Sequence, residues 1–276
     1  MGKDSNIEWC HHTFNPWIGC TKISDACNNC YAEEWANRYK RCDGGGDRVG
    51  TKSWGQPKRW NRQAGQAGTR SRVFCASLAD VFDNHKSILP EWRQRKWETI
   101  KETPHLDWLL VTKRPQNITR FLPEDWGDGY PNVWIGVTAE NQTELNRRLP
   151  ILLSVPAKVH FLSCEPLLED INLRKALEAS IDNQVGPKEL GLNWVICGGE
   201  SAHKKVRRDL NPDWARSLRD QCEEETIPFL FKQWSGANQK EIKLKGRAID
   251  GVMWDGYPTV ETKNYDDVML EDRIYG

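Results

Sequence analysis

The sequence predicts an α/β fold, a full or partial (β/α) barrel of about six to seven parallel strands, and three observations carry that expectation. Short apolar runs recur along the 276 residues, each followed by a helix-like stretch, which is the rhythm of a parallel sheet covered by helices. The runs are continuously apolar rather than alternating, as strands buried on both faces are. Each run also ends in polar, small or reactive residues. Parallel strands would gather those ends at one C-terminal rim, where such folds place their sites.

The elements follow in order. Ile7-Glu8-Trp9 opens the ordered region, and Asn15-Pro16-Trp17-Ile18-Gly19 leads into Cys20 as a short strand, counted as one of the seven. Tyr31 to Lys40 has helical composition. Cys42–Gly68, rich in Gly, Lys, Arg and Gln, is expected to be a long mobile loop inserted into the barrel. Strand–helix pairs then run Val73–Ser77 with Pro90–Thr103, Trp108–Thr112 with Pro115–Phe121, and Val133–Thr138 with Asn141–Leu149. They continue with Val159–Ser163 and Glu169–Ser180, then Trp194–Cys197 and Pro212–Glu225, and end in the strand Pro228–Lys232. The barrel domain is placed at 1–235, with the loop insertion at 42–68. Residues 236–276 are placed as a C-terminal surface extension.

Composition narrows the function classes. Hydrophobic content of 38% and charge of 28% belong to a soluble globular protein. No stretch reaches membrane-spanning length and the N-terminus lacks an apolar signal region. Nine cysteines include Cys75, Cys164 and Cys197 inside apolar runs, which argues for a reducing compartment over a disulfide framework. The expectation is a cytoplasmic protein. A formal net charge of zero argues against a chain dominated by nucleic-acid binding, yet Lys40 to Arg72 holds nine basic residues against two acidic ones. Fourteen tryptophans serve mostly as core, with stacking on bases as the functional alternative.

The chemistry centres on Cys20, Cys27 and Cys30, spaced C-x6-C-x2-C just before the first helix. A helix N-terminus favours thiolate. Three thiolates can hold an iron–sulfur cube with one iron open. A closed zinc knot completed by Cys10, His11 or His12 is an alternative, and unligated thiols are a third. The rim brings together Ser77 with Asp80, Lys113-Arg114-Pro115, Thr138-Ala-Glu140-Asn141, Ser163-Cys164-Glu165-Pro166, Gly198-Gly199-Glu200-Ser201 and Lys232-Gln233-Trp234.

Ile7-Glu8-Trp9, Asn15-Pro16-Trp17, Gly19-Cys20, Cys27-x-x-Cys30-Tyr31-Ala32, Thr112-Lys113-Arg114-Pro115, Asn132-Val-Trp-Ile-Gly-Val-Thr138, Glu165-Pro166-Leu167-Leu168, Gly198-Gly199-Glu200-Ser201 and Phe231-Lys232-Gln233-Trp234 together resemble one family. It is the three-cysteine-motif family of phages and bacteria, largely of unknown function and similar to a branch of the radical S-adenosylmethionine (SAM) superfamily. The resemblance implies a [4Fe–4S] cluster on Cys20, Cys27 and Cys30, SAM on the open iron, and a 5′-deoxyadenosyl radical that abstracts a substrate hydrogen. It further implies an electron donor such as flavodoxin or ferredoxin. Two positions depart from the superfamily pattern: the first cysteine gap is six rather than three, and Asn29 stands where an aromatic is common.

Within that resemblance, Glu200 or Glu165 would accept from the SAM ammonium, with Gly198 and Gly199 allowing close approach. Lys113 would pair with its carboxylate, and Thr138, Glu140 and Asn141 would bind ribose or substrate. Cys164 is a candidate hydrogen-atom donor beside Glu165, or simply a packed residue. Lys52, Lys58, Arg59 and Trp60, with Lys204 and Lys205, are candidate nucleic-acid contacts. The expected activity is modification or isomerisation of a nucleobase or its appended group, in phage DNA (amino acid-decorated thymidine) or in RNA. A radical enzyme acting on a peptide or small molecule, and a non-enzymatic zinc-bound scaffold, are the alternatives.

Overall fold

A computed structural model describes residues 5–39, 42, 45–180, 191–202 and 206–259. The first strand of the main sheet is β1 (His12–Phe14). It is followed by β2 (Trp17–Ile18), α1 (Tyr31–Arg38), β3 (Val49–Gly50), α2 (Gln56–Gln66), β4 (Ser71–Cys75), α3 (Pro90–Lys101) and β5 (Leu106–Thr112). Then come α4 (Ile118–Phe121), β6 (Val133–Thr138), α5 (Gln142–Leu153), β7 (Val159–Cys164), α6 (Leu173–Ala179) and β8 (Leu192–Gly198). The described chain closes with α7 (Pro212–Glu224), β9 (Phe229–Gln233), α8 (Gln239–Lys245), β10 (Ala248–Ile249) and β11 (Val252–Met253).

Seven strands form one parallel sheet in the order β1-β4-β5-β6-β7-β8-β9. Spatial order follows chain order, so each crossover places its helix on the same side and the sheet curls into a half-barrel. The seventh strand is His12–Phe14, which pairs with β4. The expected Trp17–Cys20 strand instead leaves the sheet, pairing antiparallel with β3. Asparagines start the later helices, Asn141, Asn172 and Asn238 each accepting a backbone N–H three residues on. Pro90 and Pro212 stand at the first positions of α3 and α7, where no N–H is needed.

A small apolar cluster joins Ile18, Ala32, Ala36 and Leu78, and two apolar layers flank the sheet. The larger lies between sheet and helices and includes Cys75, Leu110, Leu162, Cys164, Cys197, Leu218 and Cys222. The smaller lines the concave face, with Trp9, Leu109, Trp134, Phe161, Trp194 and Leu230. Strand period then settles the rim residues: in β7, Phe161 faces inward while Leu162 and Cys164 face the helices.

Two expectations change here. The second half of the supposed loop is the helix α2, whose Pro57, Trp60 and Ala64 recur at helical spacing and are buried on one face. Downstream, the expected surface extension packs against the sheet as far as Tyr257. Ile242 and Ile249 are buried, and Asp255 bridges antiparallel to Leu230 of β9.

Candidate active site

Gly19 (φ +108°) ends β2 by turning the chain across the sheet rim, its N–H donating to the Leu78 carbonyl at 3.0 Å. A Cβ there would meet Cys42 Sγ at 3.1 Å and Arg48 Cδ at 3.2 Å, so the close approach suits glycine. The loop 20–30 then runs over the mouth of the half-barrel, and Cys30 caps the N-terminus of α1. Cys20, Cys27 and Cys30 line a cavity of about 310 Å³ together with Trp9, Tyr31, Phe74, Ser77, Asp80, Lys113, Thr138, Ser163, Glu165 and Lys232. No cysteine of the chain is in a disulfide.

Three charged anchors hold this loop. At its start, Arg114 donates to Cys20 Sγ at 3.6 Å, to the Thr21 carbonyl at 2.8 Å and to Asp80 at 3.0 Å. Arg48 joins from the polar segment before α2, donating to Thr21 Oγ1 and to Asp83 at 2.7 Å each. In the middle, Glu140 accepts from the Ala26 N–H at 3.4 Å and pairs with Arg148 at 2.8 Å. At its end, Glu200 accepts from Asn29 Nδ2 at 2.9 Å and pairs with Arg208, whose Nη1 donates to the Asp25 carbonyl at 3.0 Å.

The electrostatics follow from burial. Desolvation pushes the free Cys20 thiol up to about 11; Asp80 adds to the rise and Arg114 opposes it. At Glu140, burial alone would raise the carboxyl, but the Arg148 guanidinium and further partners outweigh it and hold the pKa below the usual value. Glu165 sits inside the cavity wall. It accepts from Trp9 Nε1 at 3.2 Å and Ser163 Oγ at 3.3 Å, and pairs with Lys232 at 2.9 Å. Lys113 Nζ donates to Thr138 Oγ1 at 3.4 Å across the same cavity.

The structure therefore sorts the residues named from sequence. Cys20, Cys27, Cys30, Lys113, Thr138 and Glu165 share the cavity. Glu140 and Glu200 do not line it: their carboxylates are spent on Arg148 and Arg208 and support the cysteine loop. Gly198 and Gly199 make room for protein, since a Cβ would meet Glu165 Oε1 at 2.8 Å and the Ser235 backbone N at 2.3 Å respectively. Cys164 faces the helix layer, wholly buried, with desolvation pushing its thiol well up, so it cannot reach a substrate radical in the cavity.

Trp60 cannot stack on a base, because it is 2% exposed and stacked on His12 at 4.4 Å. Trp54 is likewise buried, edge-on to Phe14. Lys58 pairs with Glu102 at the end of α3, away from the rim, while Lys52 and Arg59 are exposed. Lys204 and Lys205 lie outside the described residues. Cys10 is buried, hydrogen-bonded to Ser5 at 3.5 Å and absent from the cavity wall. His11 and His12 lie at the opposite end of β1 from the rim, so neither closes a zinc knot with the three cysteines.

Sequence reasoning missed Arg48, Arg148 and Arg208 as loop anchors, and Lys232 as the partner of Glu165. Arg148 and Arg208 each follow their rim glutamate by eight residues, the one regularity the sequence offers; Arg48 and Lys232 carry no such mark.

A family model described as "Protein of unknown function (DUF5131)" matches residues 4–258. The chain belongs to that family. No curated protein matches it. Among solved structures, a spore photoproduct lyase double mutant with bound AdoMet and dinucleoside spore photoproduct is similar at 10% identity and a TM-score of 0.51. A single mutant of that lyase with the dinucleoside spore photoproduct is similar at 10% identity and a TM-score of 0.50. Each likeness covers 81% of this chain and 64% of the lyase chain. The DUF5131 chain thus shares the half-barrel fold of that lyase and spans less than two thirds of its length. No described helix is long and apolar enough to cross a membrane.

Three thiols, those of Cys20, Cys27 and Cys30, line one cavity, and thiols are the donors an iron–sulfur cluster takes; among the described residues no three His, Cys, Asp or Glu side chains are drawn together closely enough to hold a metal ion.

Proposed function

We propose that this DUF5131 protein is a radical SAM enzyme whose substrate carries a nucleobase. The observation that carries the reading is that Cys20, Cys27 and Cys30 share one cavity at the rim of a half-barrel with Lys113, Thr138, Glu165 and Lys232. Bound there, the cluster would supply the electron that cleaves SAM to a 5′-deoxyadenosyl radical.

The chain's own residues have separable tasks. The Arg114 guanidinium beside Cys20 Sγ favours the thiolate that ligation requires. Lys113 offers an ammonium for a carboxylate, and Thr138 holds that ammonium toward the cavity. Glu165 is oriented from three sides by Trp9, Ser163 and Lys232, so a cationic amino group entering the cavity would compete with Lys232 for it. Trp9, Tyr31 and Phe74 supply the apolar wall that excludes water.

The nucleobase class is supported by the dinucleoside bound to the structurally similar lyase. Phage DNA and RNA are the two substrates this reading favours, and a base in duplex would have to be flipped out to reach the cavity. The test is anaerobic reconstitution of the full chain. About four irons and four sulfides per chain are expected, with 5′-deoxyadenosine released from SAM on reduction, and with Cys27→Ala losing both. Stoichiometric zinc retained without iron would replace this reading with the scaffold. Comparing DNA, RNA and peptide for stimulation of 5′-deoxyadenosine release selects the substrate.

A further inference from the structure

A second pocket, of about 430 Å³, opens on the outer shoulder of the rim, between the loop after β4 and the short α4. His85, Lys86, Arg93 and Arg120 line it, and among the described residues no Asp or Glu does. The guanidinium carbon of Arg93 lies 3.8 Å from the Phe121 ring centroid, and that of Arg120 lies 5.3 Å from the same centroid. Two like charges share one aromatic ring. Arg93 Nη2 donates to the Asp83 carbonyl, while its Nη1 is buried with no hydrogen-bond partner among the described residues.

Lys86, Arg93 and Arg120 line a pocket that no described carboxylate lines, and an anion held there would offset their mutual repulsion. Arginine pairs present planar forks that match phosphate oxygens, and a pocket of this volume suits a nucleotide-sized group.

We propose that this pocket binds a phosphate group of the substrate, with Arg93 and Arg120 meeting its oxygens and Lys86 at the entrance. The inference deepens the nucleobase reading and rests on it for the identity of the ligand. The pocket also backs onto the cysteine loop. The Asp83 whose carbonyl takes Arg93 uses its carboxylate to hold Arg48 at 2.7 Å and Arg114 at 3.7 Å. A phosphate on Arg93 would therefore sit one residue away from the network that fixes Cys20.

The experiment uses the full chain and a fluorescein-labelled single-stranded oligodeoxynucleotide, followed by anisotropy at several salt concentrations, with inorganic phosphate and a nucleoside monophosphate as competitors. Arg120 and Lys86 are exposed, so Arg120→Glu and Lys86→Glu should leave the thermal midpoint unchanged. Arg120→Glu is expected to weaken oligonucleotide binding about tenfold or more at low salt and to lower the salt slope by about 0.7 for each phosphate the protein no longer neutralises. Monophosphate or inorganic phosphate binding that Arg120→Glu abolishes, without oligonucleotide binding, also supports the site and assigns it to a small phosphorylated ligand. Wild-type affinity and salt slope in both variants, for all three probes, overturns it. These binding measurements need neither cluster nor SAM, so failure of the radical reading and failure of the phosphate site are told apart.

Discussion

Lys96 lies on α3, 1% exposed, with its ammonium 3.7 Å from the Trp97 ring centroid and no hydrogen-bond partner among the described residues. Burial is the main cause that brings its pKa down to about 7; Cys75 opposes the fall and Arg93 adds to it. The unfolded chain keeps this proton up to the ordinary lysine value near 10.5, so between about 7 and 10.5 the unfolded state binds more protons. Stability must therefore rise with pH across that window, and the penalty for the buried charge is fully present below it, on the order of 5 kcal/mol. Lys96→Met is expected to raise the denaturation midpoint at pH 6 and to have almost no stabilising effect at about pH 10.5. Equal gains at both pH values would show that packing, not charge, sets the effect. The same scale explains why Cys164 and Glu165, adjacent in sequence, part company: strand period sends the thiol to the helix layer and the carboxylate to the cavity.

The loop 20–30 is an element with almost no regular structure, a single short turn at Asp25–Cys27, yet three ion pairs fix it. Its cysteines were legible in the sequence because C-x6-C-x2-C is local. Its anchors were not, because Arg48, Arg114, Glu140 and Glu200 converge on it from four separate stretches of chain. Two of the three rim glutamates read as cofactor or substrate contacts, Glu140 and Glu200, are engaged in holding the loop, while Glu165 lines the cavity, a distinction that spacing cannot make. Arg148→Met tests the middle anchor. It strands Glu140, which is wholly buried, and breaking one side of such a pair costs about 3 to 5 kcal/mol, or about 10 °C in thermal midpoint for a chain of this size. The double variant Glu140→Met with Arg148→Met should recover much of the stability but not iron loading, because the Ala26 N–H has lost its acceptor. Full iron loading in the double variant would mean the loop holds its shape without Glu140.

At the scale of the molecule, the parallel sheet was legible because its strands are apolar on both sides and punctuated by rim residues. The closure of the open bottom was not, because it joins the two ends of the described chain. Trp254 and Gly256 hydrogen-bond to β9, the Trp254 carbonyl accepting from Phe231 N and the Gly256 N–H donating to the Phe229 carbonyl, both at 2.9 Å. Tyr257 then crosses the concave face. It packs on Trp194 at 5.3 Å, lies under the Arg72 guanidinium at 4.0 Å and donates to the Glu8 carbonyl at 3.1 Å. Arg247 reaches Glu8 as well, at 3.7 Å. Polar composition hid this role, since Ile249, Trp254 and Tyr257 make the apolar contacts of this stretch from among polar neighbours. Ending the chain at residue 245 should therefore bare the edge of β9 and the indole of Trp194 together. The wholly buried Ile249 and the partly buried Trp254 and Tyr257 are together worth about 4 kcal/mol, so the midpoint should fall by about 10 °C, and the exposed strand edge should promote self-association. Thermal unfolding and size-exclusion chromatography measure both. A truncated chain that stays monomeric with an unchanged midpoint would show that residues 246–259 only lie on a barrel already closed without them.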